Sequence, residues 1–104
     1  MDRLEQLIRF VEEDPHDPFN RYALALEYSK SDFQKAAELF EALLKEHEGY
    51  TPTYYHAAKL FESNGDINRA IAIYEKGIAV TLRQQERKAM QELKSALEQL
   101  RHDD

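Results

Sequence analysis

The chain repeats itself. Laid against itself at a lag of 34 residues, Pro18 falls on Pro52, Ala23 on Ala57, Leu26 on Leu60, Ser29 on Ser63, Asp32 on Asp66, Ala36 on Ala70 and Glu41 on Glu75. Similar residues coincide as well: Phe33 with Ile67, Lys35 with Arg69, Leu39 with Ile73, Phe40 with Tyr74 and Leu44 with Ile78. Over the first half of each unit a lag of 33 fits better, pairing Tyr22 with Tyr55, Ala25 with Ala58 and Tyr28 with Phe61. The first unit is therefore one residue short at its internal turn, where Ser31-Asp32 stands opposite Gly65-Asp66. A fixed period of this length marks a repeat architecture, in which each unit leaves an apolar face that only a stacked neighbour covers. The 104 residues hold two such units with a flanking piece at each end, as one small domain or a short array rather than two independent cores.

Apolar spacing makes every segment helical. Leu4, Leu7, Ile8 and Val11 form the stripe of a first helix, which Asp14-Pro15 stops because the residue before proline is pushed out of the α region. Asp17-Pro18 opens a second helix, expected to run to about Lys30, with Tyr22, Ala25, Leu26 and Tyr28. Asp32 caps a third that carries Phe33, Ala36, Ala37, Leu39, Phe40, Leu43 and Leu44 to near His47. Thr51-Pro52 begins a fourth with Tyr54, Ala57, Ala58, Leu60 and Phe61, and Asn64-Gly65 ends it in a left-handed stop. Asp66 caps a fifth bearing Ile67, Ala70, Ile71, Ile73, Tyr74 and Ile78. The sixth starts less sharply, since Leu82 to Glu86 holds neither Gly nor Pro, but Met90, Leu93, Ala96, Leu97 and Leu100 stripe it to about Arg101. Three glycines and three prolines are too few for an all-β chain, so six short antiparallel helices are expected.

At these residues the chain resembles the tetratricopeptide repeat, a 34-residue helix-turn-helix unit. In the second unit Tyr54 stands at the large aromatic, Ala57 and Ala58 at the Leu-Gly pair, Phe61 at the next aromatic and Gly65-Asp66 at the internal turn. Ala70, Tyr74 and Gly77 follow the pattern of its second helix; Leu24, Ala25, Tyr28, Ala36 and Phe40 fill the same roles in the first unit. Leu43 replaces a small residue, and Glu48 and Leu82 replace the closing proline. The resemblance covers residues 2–85 and implies an all-α fold, a right-handed α-α superhelix of antiparallel helix pairs. It divides the chain into a half repeat (1–17), two full repeats (18–51 and 52–85), a capping helix (86–101) and a tail (102–104). Small residues at Ala36, Ala58, Ala70 and Gly77 would let the helix axes approach, with aromatics filling the gaps.

The resemblance also implies a non-catalytic module that holds a peptide segment or a helix of a partner protein in a concave groove, as a scaffold or adaptor. Carried over position by position, that groove takes Phe19, Tyr22, Leu26, Ser29 and Lys30 from the first unit, and Tyr55, Lys59, Glu62 and Ser63 from the second. Ala89 and Leu93 are the matching positions of the last helix. Tyr22 and Tyr55 suit anchoring, since tyrosine brings contact area at low entropy cost, yet both are equally placed to pack on a neighbouring helix. Lys30 and Lys59 favour a ligand with acidic residues. The Lys and Asn clamp of chaperone-binding members is missing, because its places hold Tyr22, Leu26, His56 and Lys59.

Other chemistries find little support. Without cysteine there is no thiolate metal site or thiol nucleophile, and His16, His47, His56 and His102 have no partners at ligand spacing, so neither a metal, a cofactor nor an enzyme is expected. A net charge of −6 argues against nucleic-acid or anionic-membrane binding. No apolar run approaches a membrane span, and charge appears within the first five residues, which points to a cytoplasmic chain. Charge is uneven: residues 1–17 carry six carboxylates against two arginines, net −4, and residues 83–101 carry five basic residues against three glutamates, net +2. That asymmetry admits a head-to-tail contact between copies, so a monomer or a weak homo-oligomer is expected. A structural homo-oligomer and an accessory subunit of a larger enzyme complex are the rival functions.

Overall fold

A computed structural model describes residues 1–102 and places six helices among them, with no strand. They are α1 (Arg3–Glu13), α2 (Pro18–Tyr28), α3 (Phe33–Glu46), α4 (Pro52–Ser63), α5 (Ile67–Arg83) and α6 (Arg87–His102). The expected all-α fold is therefore observed, and the helix ends marked in the sequence hold to within two residues, while the fifth helix, its apolar stripe marked only to Ile78, runs on to Arg83. Helix α2 stops at Tyr28 rather than Lys30, and α6 runs one residue past Arg101. Asp103 and Asp104, the end of the expected tail, lie outside the described residues.

Aspartate starts four of the helices. The carboxylates of Asp2, Asp17, Asp32 and Asp66 accept from the amides of Glu5 (2.8 Å), Phe19 (2.9 Å), Lys35 (3.1 Å) and Arg69 (3.2 Å). Each satisfies an orphan N–H and places negative charge at the positive end of the helix, worth about 1 kcal/mol. Asp2 is the one cap that the sequence pattern leaves unmarked.

Helix ends differ in an informative way. At Gly65 (φ +87°) the Asp66 amide bonds back to the Phe61 carbonyl at 2.9 Å, the six-to-one bond of a left-handed stop. The same bond closes α5, from the Glu86 amide to the Thr81 carbonyl at 2.9 Å, and here the left-handed residue is Gln85 at φ +62°. The first unit, one residue shorter, has no left-handed residue at its internal turn; its Asp32 amide reaches back only four residues, to the Tyr28 carbonyl at 2.7 Å.

The chain divides into two compact units, residues 1–53 and residues from Tyr54 onward. In unit 1, α1 packs on α2 and α2 on α3 around Leu7, Leu24, Ala25, Ala36, Ala37, Phe40 and Leu43. Ion pairs between opposite helix ends record the antiparallel order: Arg3 Nε lies 3.4 Å from Glu27, and Arg21 grips Glu46 through both nitrogens at 3.2 and 3.4 Å. The Arg21 hydrogen bond, more than its bare charge, holds the Glu46 carboxyl below the usual range.

In unit 2 the buried set is Tyr54, Ala57, Ala58, Phe61, Ala70, Ile73, Tyr74, Val80, Leu93, Ala96, Leu97 and Leu100. Gly77 of α5 is the tightest point. A Cβ placed there would meet Tyr54 Cβ at 2.6 Å and Leu93 Cδ1 at 3.0 Å. Four residues on, the buried Thr81 hydroxyl donates to the Gly77 carbonyl at 2.8 Å, so that it stays satisfied inside the core.

Two substitutions test this packing in opposite directions. Gly77→Ala, although it raises helix propensity, is expected to lower stability by about 1–3 kcal/mol through overpacking against Tyr54. Gln85→Gly relieves a left-handed residue and is expected to raise stability by about 0.5–1 kcal/mol. Urea denaturation followed by circular dichroism measures both, and a neutral Gly77→Ala would contradict the close approach.

Candidate binding site

Burial of one face of α4 decides what its other face displays. Tyr54, Ala57, Ala58 and Phe61 point into the core of unit 2. Tyr55, Lys59 and Glu62 follow at i, i+4 and i+7 on an adjoining stripe, where Tyr55 is exposed and the other two are half-buried. On α6, burial of Leu93, Ala96, Leu97 and Leu100 leaves Lys88, Gln91, Glu92, Ser95 and Gln99 outside. Between the two helices lies an open cleft of about 470 Å³, with Tyr55 and Lys59 on the α4 wall and Lys88, Gln91, Glu92, Ser95 and Gln99 on the α6 wall.

A chain of contacts holds the α4 wall in place. The Lys59 ammonium sits 5.6 Å from the centre of the Tyr55 ring and 3.7 Å from Glu62 Oε1. The same Oε1 accepts a hydrogen bond from the Tyr74 hydroxyl at 3.1 Å. Tyr74 is buried, and burial above all, then the Glu62 carboxylate, pushes its phenol far above the ordinary value. Its hydroxyl thus ties a core residue to the carboxylate that meets Lys59. A lysine held between a ring face and an anchored carboxylate loses less freedom on binding than a solvated one.

The groove residues expected from the sequence separate by unit. Tyr55, Lys59 and Glu62 come together on α4. In unit 1, Phe19 is exposed in the first turn of α2, and Tyr22 is half-buried with its ring edge-on to Tyr50 at 5.7 Å. Burial, then Tyr50, raises the Tyr22 phenol. Leu26 is half-buried, its carbonyl accepting from the Ser29 hydroxyl; Lys30, in the turn beyond α2, meets Glu27 at 3.2 Å.

The expectation for α6 needs correction. Leu93 is a core residue, packed where Gly77 lets it approach, and does not face the cleft; Ala89 is not among the cleft residues. A lag of 34 pairs Tyr55 with Ala89 and Lys59 with Leu93, whereas the cleft opposes them with Lys88 and Glu92, a lag of 33. The apolar stripe ending at Leu100 carries the signal that fixes this rotation. Among the described residues no group of three or more His, Asp or Glu side chains is placed to hold a metal ion, and no helix is long and apolar enough to cross a membrane.

Comparison with known proteins agrees with the all-α repeat fold. The tetratricopeptide repeat family model matches residues 27–97. A tetratricopeptide repeat domain protein from Salinibacter ruber is similar in its solution structure, at 41% identity and a TM-score of 0.79, over 84% of this chain and 89% of that one. Its crystal structure is similar at 38% identity and a TM-score of 0.79, over 86% of this chain and all of that one (100%). A Bordetella parapertussis protein solved in solution shares the fold at 21% identity and a TM-score of 0.84, over 100% of this chain and 91% of that one. No curated protein matches the sequence.

The Tyr74–Glu62 link can be measured directly. A double-mutant cycle with Tyr74→Phe and Glu62→Gln is expected to give a coupling of about 1–2 kcal/mol, that of a part-buried hydrogen bond to a charged group. No coupling would mean that the hydroxyl and the carboxylate do not meet in solution.

Proposed function

We propose, from the premise that the chain belongs to the tetratricopeptide repeat family, that unit 2 holds a short acidic segment of a partner protein in the cleft between α4 and α6. The family generally mediates protein–protein interaction, and the reading assigns this chain a non-catalytic, cytoplasmic binding role as an adaptor or scaffold. The observation that carries it is the placement of Lys59 and Lys88 on opposite walls of one open cleft, beside the exposed ring of Tyr55. Lys59, which Glu62 meets at 3.7 Å, and Lys88 both line the cleft, and an anionic side chain placed between the walls gains from both ammonium groups while keeping part of its hydration. Tyr55 supplies apolar area with a hydroxyl to spare, and the uncharged row Gln91, Ser95 and Gln99 offers donors and acceptors along the length of the bound segment.

A second carboxylate, Glu92, tempers the attraction and favours a segment whose acidic residues are spaced rather than clustered. A single cleft of this size buries an area at the low end for specific interfaces, so the affinity is expected to be about micromolar. The groove positions of unit 1, Phe19, Tyr22, Leu26 and Lys30, are proposed to extend the same binding role to the first repeat.

Affinity capture from cell extract with the wild type and with a folded Tyr55→Ala/Lys59→Glu variant tests the assignment. A partner retained by the wild type and lost by the variant is the expected result. Lys59→Glu and Lys88→Glu are each expected to weaken the captured segment about tenfold or more, about 1.4 kcal/mol, in titration calorimetry. Unchanged affinity in both would move the site to another face, and tighter binding would reverse the charge assignment.

A further inference from the structure

Two surfaces outside the proposed cleft, one in each unit, carry exposed apolar side chains, and their surroundings have opposite charge. In unit 1, Phe10 in the last turn of α1 is 48% exposed and Phe19 in the first turn of α2 is 59% exposed. The Asn20 side chain, next to Phe19, reaches the Phe10 carbonyl at 3.4 Å and holds the two turns together. Between these phenylalanines the chain carries Glu12, Glu13, Asp14 and Asp17, with Arg9 the one cation adjoining them. In unit 2, the turn from α5 to α6 opens a cleft of about 460 Å³ lined by Thr81, Leu82, Gln85, Glu86, Arg87 and Met90. Leu82 is 63% exposed at this cleft. Arg83, Arg87 and Lys88 surround it in the chain against the single carboxylate of Glu86, whose Oε1 is turned inward and buried.

Exposed aromatic and aliphatic residues of this size lower the free energy when they meet a second apolar surface. The left-handed Gln85 shapes the turn that forms the cleft, and the bulk of Leu82 stands where the family pattern has its closing proline. A partner for the Phe10–Phe19 surface needs a recess that offers apolar side chains, with basic residues around it. A partner for the Leu82–Met90 recess needs an apolar projection with acidic residues around it. The chain carries both.

We propose that copies of this chain associate head to tail, with the Phe10–Phe19 surface of one copy seated in the Leu82–Met90 recess of the next. The contact is heterologous: each copy brings one donor and one acceptor surface, so that two copies joined by one contact leave one of each for a further copy. The rim charges Glu12, Glu13, Asp14 and Asp17 against Arg83, Arg87 and Lys88 set the register and make association weaken with salt over the screening length of about 10 Å at 0.1 M. Two surfaces this small make a transient contact that populates at high protein concentration. The contact shares Lys88 with the acidic-segment cleft and Phe19 with the groove positions of unit 1, so a bound partner segment and association compete there.

Sedimentation of the wild type, Phe19→Ser, Leu82→Ser and a one-to-one mixture of the two variants tests the proposal, with circular dichroism confirming that each is folded. The wild type is expected to form species larger than a dimer as concentration rises in low salt, and to lose them in high salt. Each variant alone is expected to remain monomeric. The mixture is expected to form a one-to-one pair and nothing larger, because Phe19→Ser keeps its recess and Leu82→Ser keeps its projection. A wild type that stays monomeric in low salt at high concentration would overturn the proposal, as would either variant assembling like the wild type or a mixture that forms no pair.

Discussion

Everything in unit 2 turns on the approach of α5 to α4 at Gly77. No Cβ fits there, since it would stand 2.6 Å from that of Tyr54. With Tyr54 seated against the glycine, the rotation of α4 is set, and Tyr55, Lys59 and Glu62 emerge on a neighbouring stripe. Leu93 closes on the same glycine from α6, which sets the rotation of that helix and puts Lys88, Gln91, Ser95 and Gln99 on the facing wall. One missing methyl group thus determines which side chains line the cleft. The hydroxyl of Thr81, turned back onto the Gly77 carbonyl, keeps the following turn of α5 polar-satisfied within that packing.

Framework and display are joined by few bonds, and the most consequential starts in the core. Tyr74 fills an interior position of the repeat, yet its hydroxyl reaches Glu62, and Glu62 holds Lys59. The exposed ion pairs between neighbouring helices, such as Arg101 with Glu75 at 3.0 Å, add about 0–1 kcal/mol each and record helix order more than they enforce it. Helix caps and close packing carry the stability; the charged surface is left to select what binds.

Much of this was legible in the residues. The 34-residue period, the aspartate caps at Asp17, Asp32 and Asp66, the left-handed stop at Gly65 and the helical spacing of apolar residues specify six helices and their turns, because each is a local signal with a local cause. Other features escaped for physical reasons. The turn at Gln85 has the same six-to-one bond as that at Gly65, but a glutamine in the left-handed region gives no compositional sign of itself. The α6 face of the cleft follows a lag of 33, since a period of 34 carried across that turn puts Leu93 outward, whereas the apolar stripe of α6 and its packing against Gly77 put it in the core. The Tyr74–Glu62 bond links residues twelve apart on two helices and depends on how those helices meet.

Amide chemical-shift mapping of the isotopically labelled chain, titrated with the captured partner segment, tests the central claim most directly. The account predicts that shifts concentrate on Tyr55, Lys59, Lys88, Gln91, Ser95 and Gln99, and that they diminish in Lys59→Glu. Shifts confined to the outer face of α5, or a map left unchanged by Lys59→Glu, would contradict it.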